Sequence, residues 1–114
     1  MALINLSNHR TLANSLFKAD TFWKRFKGLM FTKELSADCG LQIHPCRSIH
    51  TFFMNYTIDV LYLDDKNRVI AIDHKMKPYK LGKYYKASQS VIELPAGRAS
   101  ETNTNIGDQL EIQH

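Results

Sequence analysis

Apolar residues along this chain come in short runs, and polar or turn-forming residues interrupt them every few positions. That spacing predicts strands in preference to helices. Leu3 to Leu6 reads as a first strand and Leu12 to Ala19 as a second. Gly40 to Ile43 and Ser48 to Met54 follow, separated by Pro45, which cannot donate to a sheet ladder and marks a bend or an edge. Ile58 to Leu63 and Arg68 to His74 flank Asp64-Asp65-Lys66-Asn67, a polar stretch suited to a hairpin loop. Ser88 to Leu94 is closed by Pro95-Ala96-Gly97, and Ser100 to Asn105 reads as polar loop. Gly107-Asp108 then turns the chain into a last strand, Gln109 to Gln113. Gly97 and Gly107 are accordingly structural turn residues.

One segment breaks the pattern. Asp20 is placed as an N-cap, a short helix runs to Lys27, and Gly28 stops it. Phe22 and Phe26 lie four apart and share the expected buried face, with Trp23 beside them, while Lys24 and Lys27 turn to water. Seven or so short strands with this one helix, near residues 20–27, predict a mainly β fold with a minor α+β character. The expected form is a compact single-domain barrel or sandwich spanning residues 1–114. Parallel α/β is disfavoured because crossover helices are missing.

Composition adds limits. With 114 residues, 44% of them hydrophobic, the chain buries roughly two thirds of its unfolded surface and builds a core without metal or disulfide. Neither repeats nor a linker composition divides it. No run of 18 apolar residues exists, which excludes a transmembrane helix. The start, MALINLSNHR, lacks the basic region and apolar run of a signal peptide, so a cytoplasmic protein without a membrane partner is expected, its two cysteines as thiols. The net charge is +4. Basic residues gather in one early block, Lys18, Lys24, Arg25, Lys27 and Lys33, and a later one, Lys75, Lys77, Lys80, Lys83 and Lys86. Such blocks are more often solvated faces than nucleic-acid footprints.

Reactive side chains concentrate between Cys39 and Met54, CGLQIHPCRSIHTFFM. Cys39, His44, Cys46 and His50 are enough ligands for tetrahedral zinc, yet they contain neither Cys-x-x-Cys nor a histidine pair at helical spacing. In an extended segment Cys46 and His50 stand about 13 Å apart, too far to share one ion. Alternatively Cys39 and Cys46 face each other across a turn through Gln42 to Pro45, where a disulfide adds roughly 2.5 kcal/mol and acts in the cytoplasm as a reversible switch. A third possibility is a cysteine activated by His50 or His44 for nucleophilic work, for which no signature is visible. Against all three stands the bland reading, two small buried thiols and ordinary histidines.

Asp59 is the other residue of interest. Strand alternation puts it on the same face as Leu61 and Leu63, where a carboxylate must be paired or protonated. Arg25 and Arg47 are the candidate partners, giving an ion pair that ties helix to sheet. Met30, Met54 and Met76 read as core filler.

Arg25-x-x-Gly28-Leu29-Met30, Phe52-Phe53-Met54-Asn55-Tyr56-Thr57-Ile58-Asp59, Met76-x-Pro78, Glu93-Leu94-Pro95-Ala96-Gly97 and Gly107-Asp108 occur in this order. In these motifs the chain, from about Asn14 to Ile112, resembles the domain of unknown function 192 family. The resemblance implies a compact mainly β domain and brings no mechanism or cofactor with it. Two departures stand out. Many relatives carry an N-terminal signal or anchor, which the start MALINLSNHR does not lead one to expect here, and the Cys39, Cys46 and His50 cluster is outside the broad family pattern.

The resulting expectation is a small-ligand or peptide-binding module, with a pocket formed by Cys39, Cys46, His50, Phe52, Met54 and Asp59 and supported by Arg25, Gly28, Gly97 and Gly107. One alternative is a thiol- or metal-dependent enzyme or redox switch using Cys39, Cys46 and His50. Another is a binder of nucleic acid or an acidic partner, whose lysine faces would carry exposed Tyr79, Tyr84 and Tyr85.

Overall fold

The computed structural model describes residues 1–30 and 32–114, except the side chain of Phe22. In chain order the elements are β1 (Ala2–Asn5), β2 (Arg10–Ala13), β3 (Ser15–Ala19), α1 (Phe22–Lys27) and β4 (Cys39–Ile43). Then come β5 (Ile58–Leu63), β6 (Val69–Met76), β7 (Ser90–Pro95), α2 (Arg98–Glu101) and β8 (Leu110–Gln113). A small antiparallel sheet has the order β2-β1-β8, and a larger one the order β3-β4-β7-β5-β6. The fold is mainly β, as expected, in two sheets that do not close into a barrel.

β5, IDVLYL, is buried at all six positions. A strand reads this way when both faces of its sheet are covered, and that is the case here. Leu61, Leu63, Ile92 and Leu94 point to one side and pack against Leu3 and Leu110 of the small sheet. Val60, Tyr62, Val91 and Ile43 point to the other, against Leu29, Ile49 and Met54. The second layer is built from α1 and the long connections rather than from a sheet.

Several expectations are corrected. The run from Leu12 to Ala19 is two strands: an exposed bend at Asn14 carries the chain from the small sheet, in β2, to the large one, in β3. β3 and β4 pair in parallel through α1, so one crossover helix exists after all. The cap of α1 is Thr21, which accepts from the Lys24 N–H at 3.2 Å, and not Asp20. Trp23 and Phe26 are 75% and 57% exposed, because the six-residue helix presents its sheet-facing groups at Arg25 and, just beyond its end, at Leu29 and Met30. The expected burial of Phe22 lies outside the described residues.

Ser48 to Met54 is not a strand; only His50 bridges, to Leu81. Fully buried Thr51 explains this. Its hydroxyl donates to the Lys77 carbonyl (2.7 Å) and accepts from the Lys80 N–H (2.8 Å), while its own backbone N–H and carbonyl bond Lys80 and Tyr79. The segment is thus stapled to 77–80 as a loop. Part of the expected loop from Ser100 to Asn105 is helix, the last two residues of α2.

Asp59 faces the same side as Leu61 and Leu63, yet it pairs with neither Arg25 nor Arg47. Its Oδ1 accepts from the backbone N–H of Lys75 (2.8 Å) and Gly97 (3.0 Å), and its Oδ2 from that of Ala99 (2.8 Å). Three main-chain donors stand in for the missing cation. They fix the start of α2 to β5, with Gly97 at a φ of 86° opening that turn.

Candidate functional site

The centre of the larger sheet contains the least expected residue. β7 is the middle strand of five, and Glu93 lies within it, opposite Leu41 of β4 and Val60 of β5. Cross-strand partners share a face, so the carboxyl stands in an apolar row. It is 2% exposed, and its Oε1 has no hydrogen-bond partner. Burial pushes its pKa up to about 8. Glu93 is therefore mainly protonated at neutral pH.

Above Glu93 is a cavity of about 150 Å³. Ile43 and Glu93 form its floor, and Arg25, Gly28, Leu29 and Met30 reach it from α1 and the turn that follows. Cys46, Ile49, His50 and Met54 supply the remaining wall from the long connection between β4 and β5. Gly28 is essential to the shape. It caps α1 at a φ of 49°, and a Cβ there would stand 3.2 Å from Glu93 Oε1. Any side chain at this position is strained and fills the space over the carboxyl.

Arg25 contributes a second orphan. One guanidinium nitrogen, Nη1, donates to the Pro45 carbonyl at 3.1 Å, while the buried Nε–H has no partner. Among the described residues three buried side-chain polar atoms lack a hydrogen bond, and two of them belong to residues lining this cavity.

Aromatic side chains continue outward from its wall. The His50 ring stacks on Phe52 (5.3 Å, 23°) and meets Phe26 edge-on at 6.4 Å; Phe26 meets Trp23 in the same way at 6.4 Å. Trp23, Phe26 and Phe52 are all exposed. Cys46 is half-buried, and its thiol donates to the Ser48 carbonyl at 3.0 Å. Burial pushes that thiol above its ordinary pKa, with Glu93 adding to the effect and Arg25 opposing it.

The profile of the domain of unknown function 192 family, described as an uncharacterized ACR, matches residues 4–112. The chain belongs to that family. Among curated relatives, this family member is 32% identical over 114 residues to the UPF0127 protein of Thermococcus sibiricus, covering 96% of this chain and 73% of the relative. It is 31% identical over 112 residues to that of Pyrococcus horikoshii, covering 96% of each. A crystal structure of a protein of unknown function from Novosphingobium aromaticivorans has the same fold, with a TM-score of 0.84 at 21% identity, over 97% of this chain and 82% of that one.

Of the site residues expected from the sequence, Cys46, His50 and Met54 converge on the cavity of this family member. Phe52 stacks behind His50 outside it, and Asp59 lies on the opposite face of the sheet. Cys39 opens β4 whereas Cys46 follows its end, and β4 alone spans about 13 Å between its terminal residues. Both thiols are free. Among the described residues no three His, Cys, Asp or Glu side chains gather. Tyr85, expected on an exposed lysine face, is instead tucked against Tyr62 at 4.5 Å. No described helix is long and apolar enough to cross a membrane.

Glu93 is the residue that sequence reasoning missed. The signal was present: Ser90 to Pro95 places an acidic residue between apolar neighbours in a strand, the same pattern that singled out Asp59.

Proposed function

We propose that this protein is a small-ligand or peptide-binding module whose site is the cavity between α1 and the larger sheet. Glu93 carries the reading. A buried carboxyl without a hydrogen bond costs stability, and structural carboxyls in cores are satisfied, as Asp59 is. A carboxyl left unsatisfied beside open space is matched by a partner from outside. The cavity is mostly apolar with a few polar groups, the usual composition of a ligand site. Its volume suits a small molecule or one peptide side chain, and the exposed aromatics beside it offer contact area to whatever carries that group.

Thiol catalysis fits less well. A nucleophilic cysteine needs a lowered pKa, and burial moves Cys46 the other way. In the lysine-rich segment 75–86 one of the three expected stacking tyrosines, Tyr85, is half-buried against Tyr62.

The test is a titration of the isotopically labelled full chain with a library of small polar fragments and with pooled short peptides, read by amide chemical shifts. Saturable shifts confined to residues 28–30 and 46–54 are expected. Shifts only in the segment 75–86, or none at these sites with any fragment or peptide, would overturn the proposal.

A further inference from the structure

The chemistry of the two orphan groups narrows the ligand, on the basis of the binding reading above. Arg25 Nε–H can only donate, so it calls for an acceptor. Glu93 Oε1 is a carboxyl oxygen and calls for a donor. A ligand that leaves neither unsatisfied presents an acceptor and a donor at one end, with an apolar remainder against Leu29, Met30, Ile43, Ile49 and Met54. We infer that the cavity takes a primary carboxamide, its carbonyl accepting from Arg25 Nε–H and its N–H donating to Glu93 Oε1.

Two simpler head groups satisfy less, or satisfy one protonation state of Glu93 alone. An ammonium group donates to Glu93 and leaves the Arg25 donor orphaned beside a second cation. A carboxylate accepts from Arg25 and offers no donor, so it fits only the protonated Glu93 and loses that fit as the pH rises through about 8. The carboxamide fits whether Glu93 is protonated or not, because a protonated carboxyl retains an acceptor oxygen. Size agrees with this assignment. An apolar cavity of 150 Å³ holds benzene, a molecule of six heavy atoms, and butanamide also has six. A free small amide and the side chain of Gln or Asn in a peptide share this head group.

The experiment measures binding of butanamide, butylamine and butyrate to the full chain by amide chemical shifts at several pH values. Butanamide is expected to shift Gly28, Leu29 and Ile49, to bind at least tenfold more tightly than butylamine at neutral pH and than butyrate at pH 9, and to change little between pH 6 and 9. Arg25→Met and Glu93→Leu, each of which keeps the bulk of the side chain, are expected to weaken it at least tenfold while their spectra stay folded. A blocked glutamine peptide that binds tenfold more tightly than butanamide assigns the head group to a peptide, and equal affinity assigns it to a free amide; both support the inference. Tighter binding of butylamine that grows as pH rises makes this a cation site, and tighter binding of butyrate that grows as pH falls makes it an acid site. Either result overturns the carboxamide and leaves the binding module standing. If all three probes and the peptide fail while other fragments still shift the same residues, the carboxamide alone is overturned; if nothing shifts them, both readings fall.

Discussion

The two faces of the larger sheet each bury one carboxyl side chain, and they treat it in opposite ways. On the face toward the small sheet, Asp59 is fully buried and accepts three backbone N–H bonds. On the other face, Glu93 is as deeply buried, has an orphan oxygen, and borders a cavity. Burial alone therefore does not separate a structural acid from a candidate functional one. Satisfaction does, because a satisfied buried group holds the fold together whereas an unsatisfied one weakens it.

The comparison breaks most visibly at Asp59. Asp59→Ala leaves the N–H groups of Lys75, Gly97 and Ala99 without their acceptor and is expected to cost about 4 kcal/mol in urea denaturation. Arg25→Ala should combine with it additively, within about 0.5 kcal/mol, since the two side chains share no partner. Coupling of several kcal/mol would restore the ion pair that the geometry denies.

Glu93 should show the reverse sign. The native protein retains its proton up to about pH 8, while the unfolded chain releases it near the ordinary value of 4.5. Between these limits the native state binds the extra proton, so stability falls as pH rises, by about 1.4 kcal/mol per unit. Glu93→Gln removes that slope. Relative to the wild type it should gain on the order of 3 kcal/mol between about pH 5.5 and 7.5, read from denaturation midpoints across that range. Equal slopes in both proteins would mean that the carboxyl is solvated.

The smallest effect is expected at the thiol. Cys46 should alkylate more slowly than a free cysteine at pH 8, and His50→Ala should change the rate less than about twofold, because burial rather than an imidazole sets the thiol's pKa. A large fall in rate on removing His50 would revive the activated-thiol reading.

The strands were legible where apolar runs ended in turn residues, as in β5, β6 and β8. Their division between two sheets was not, because nothing local distinguishes Asn14, where the chain changes sheets, from an ordinary strand position. The segment from Ser48 to Met54 has strand composition and became a loop through the long-range bonds of Thr51, which no local pattern encodes. Half of the candidate site was visible as the cluster of Cys46, His50 and Met54. The other half, Arg25, Gly28 and Glu93, stood in the family motifs, and only the pairing of β7 with β4 and β5 sets Glu93 under Gly28.

The central claim is that Glu93 is a buried carboxyl with no partner of its own. Its titration can be followed directly through the side-chain carboxyl carbon by NMR, with Glu93→Gln assigning the resonance. A midpoint near 8 is expected. A midpoint near 4.5 would contradict the account, since the carboxyl would then be either solvated or paired and the cavity would have no unsatisfied group to offer a ligand.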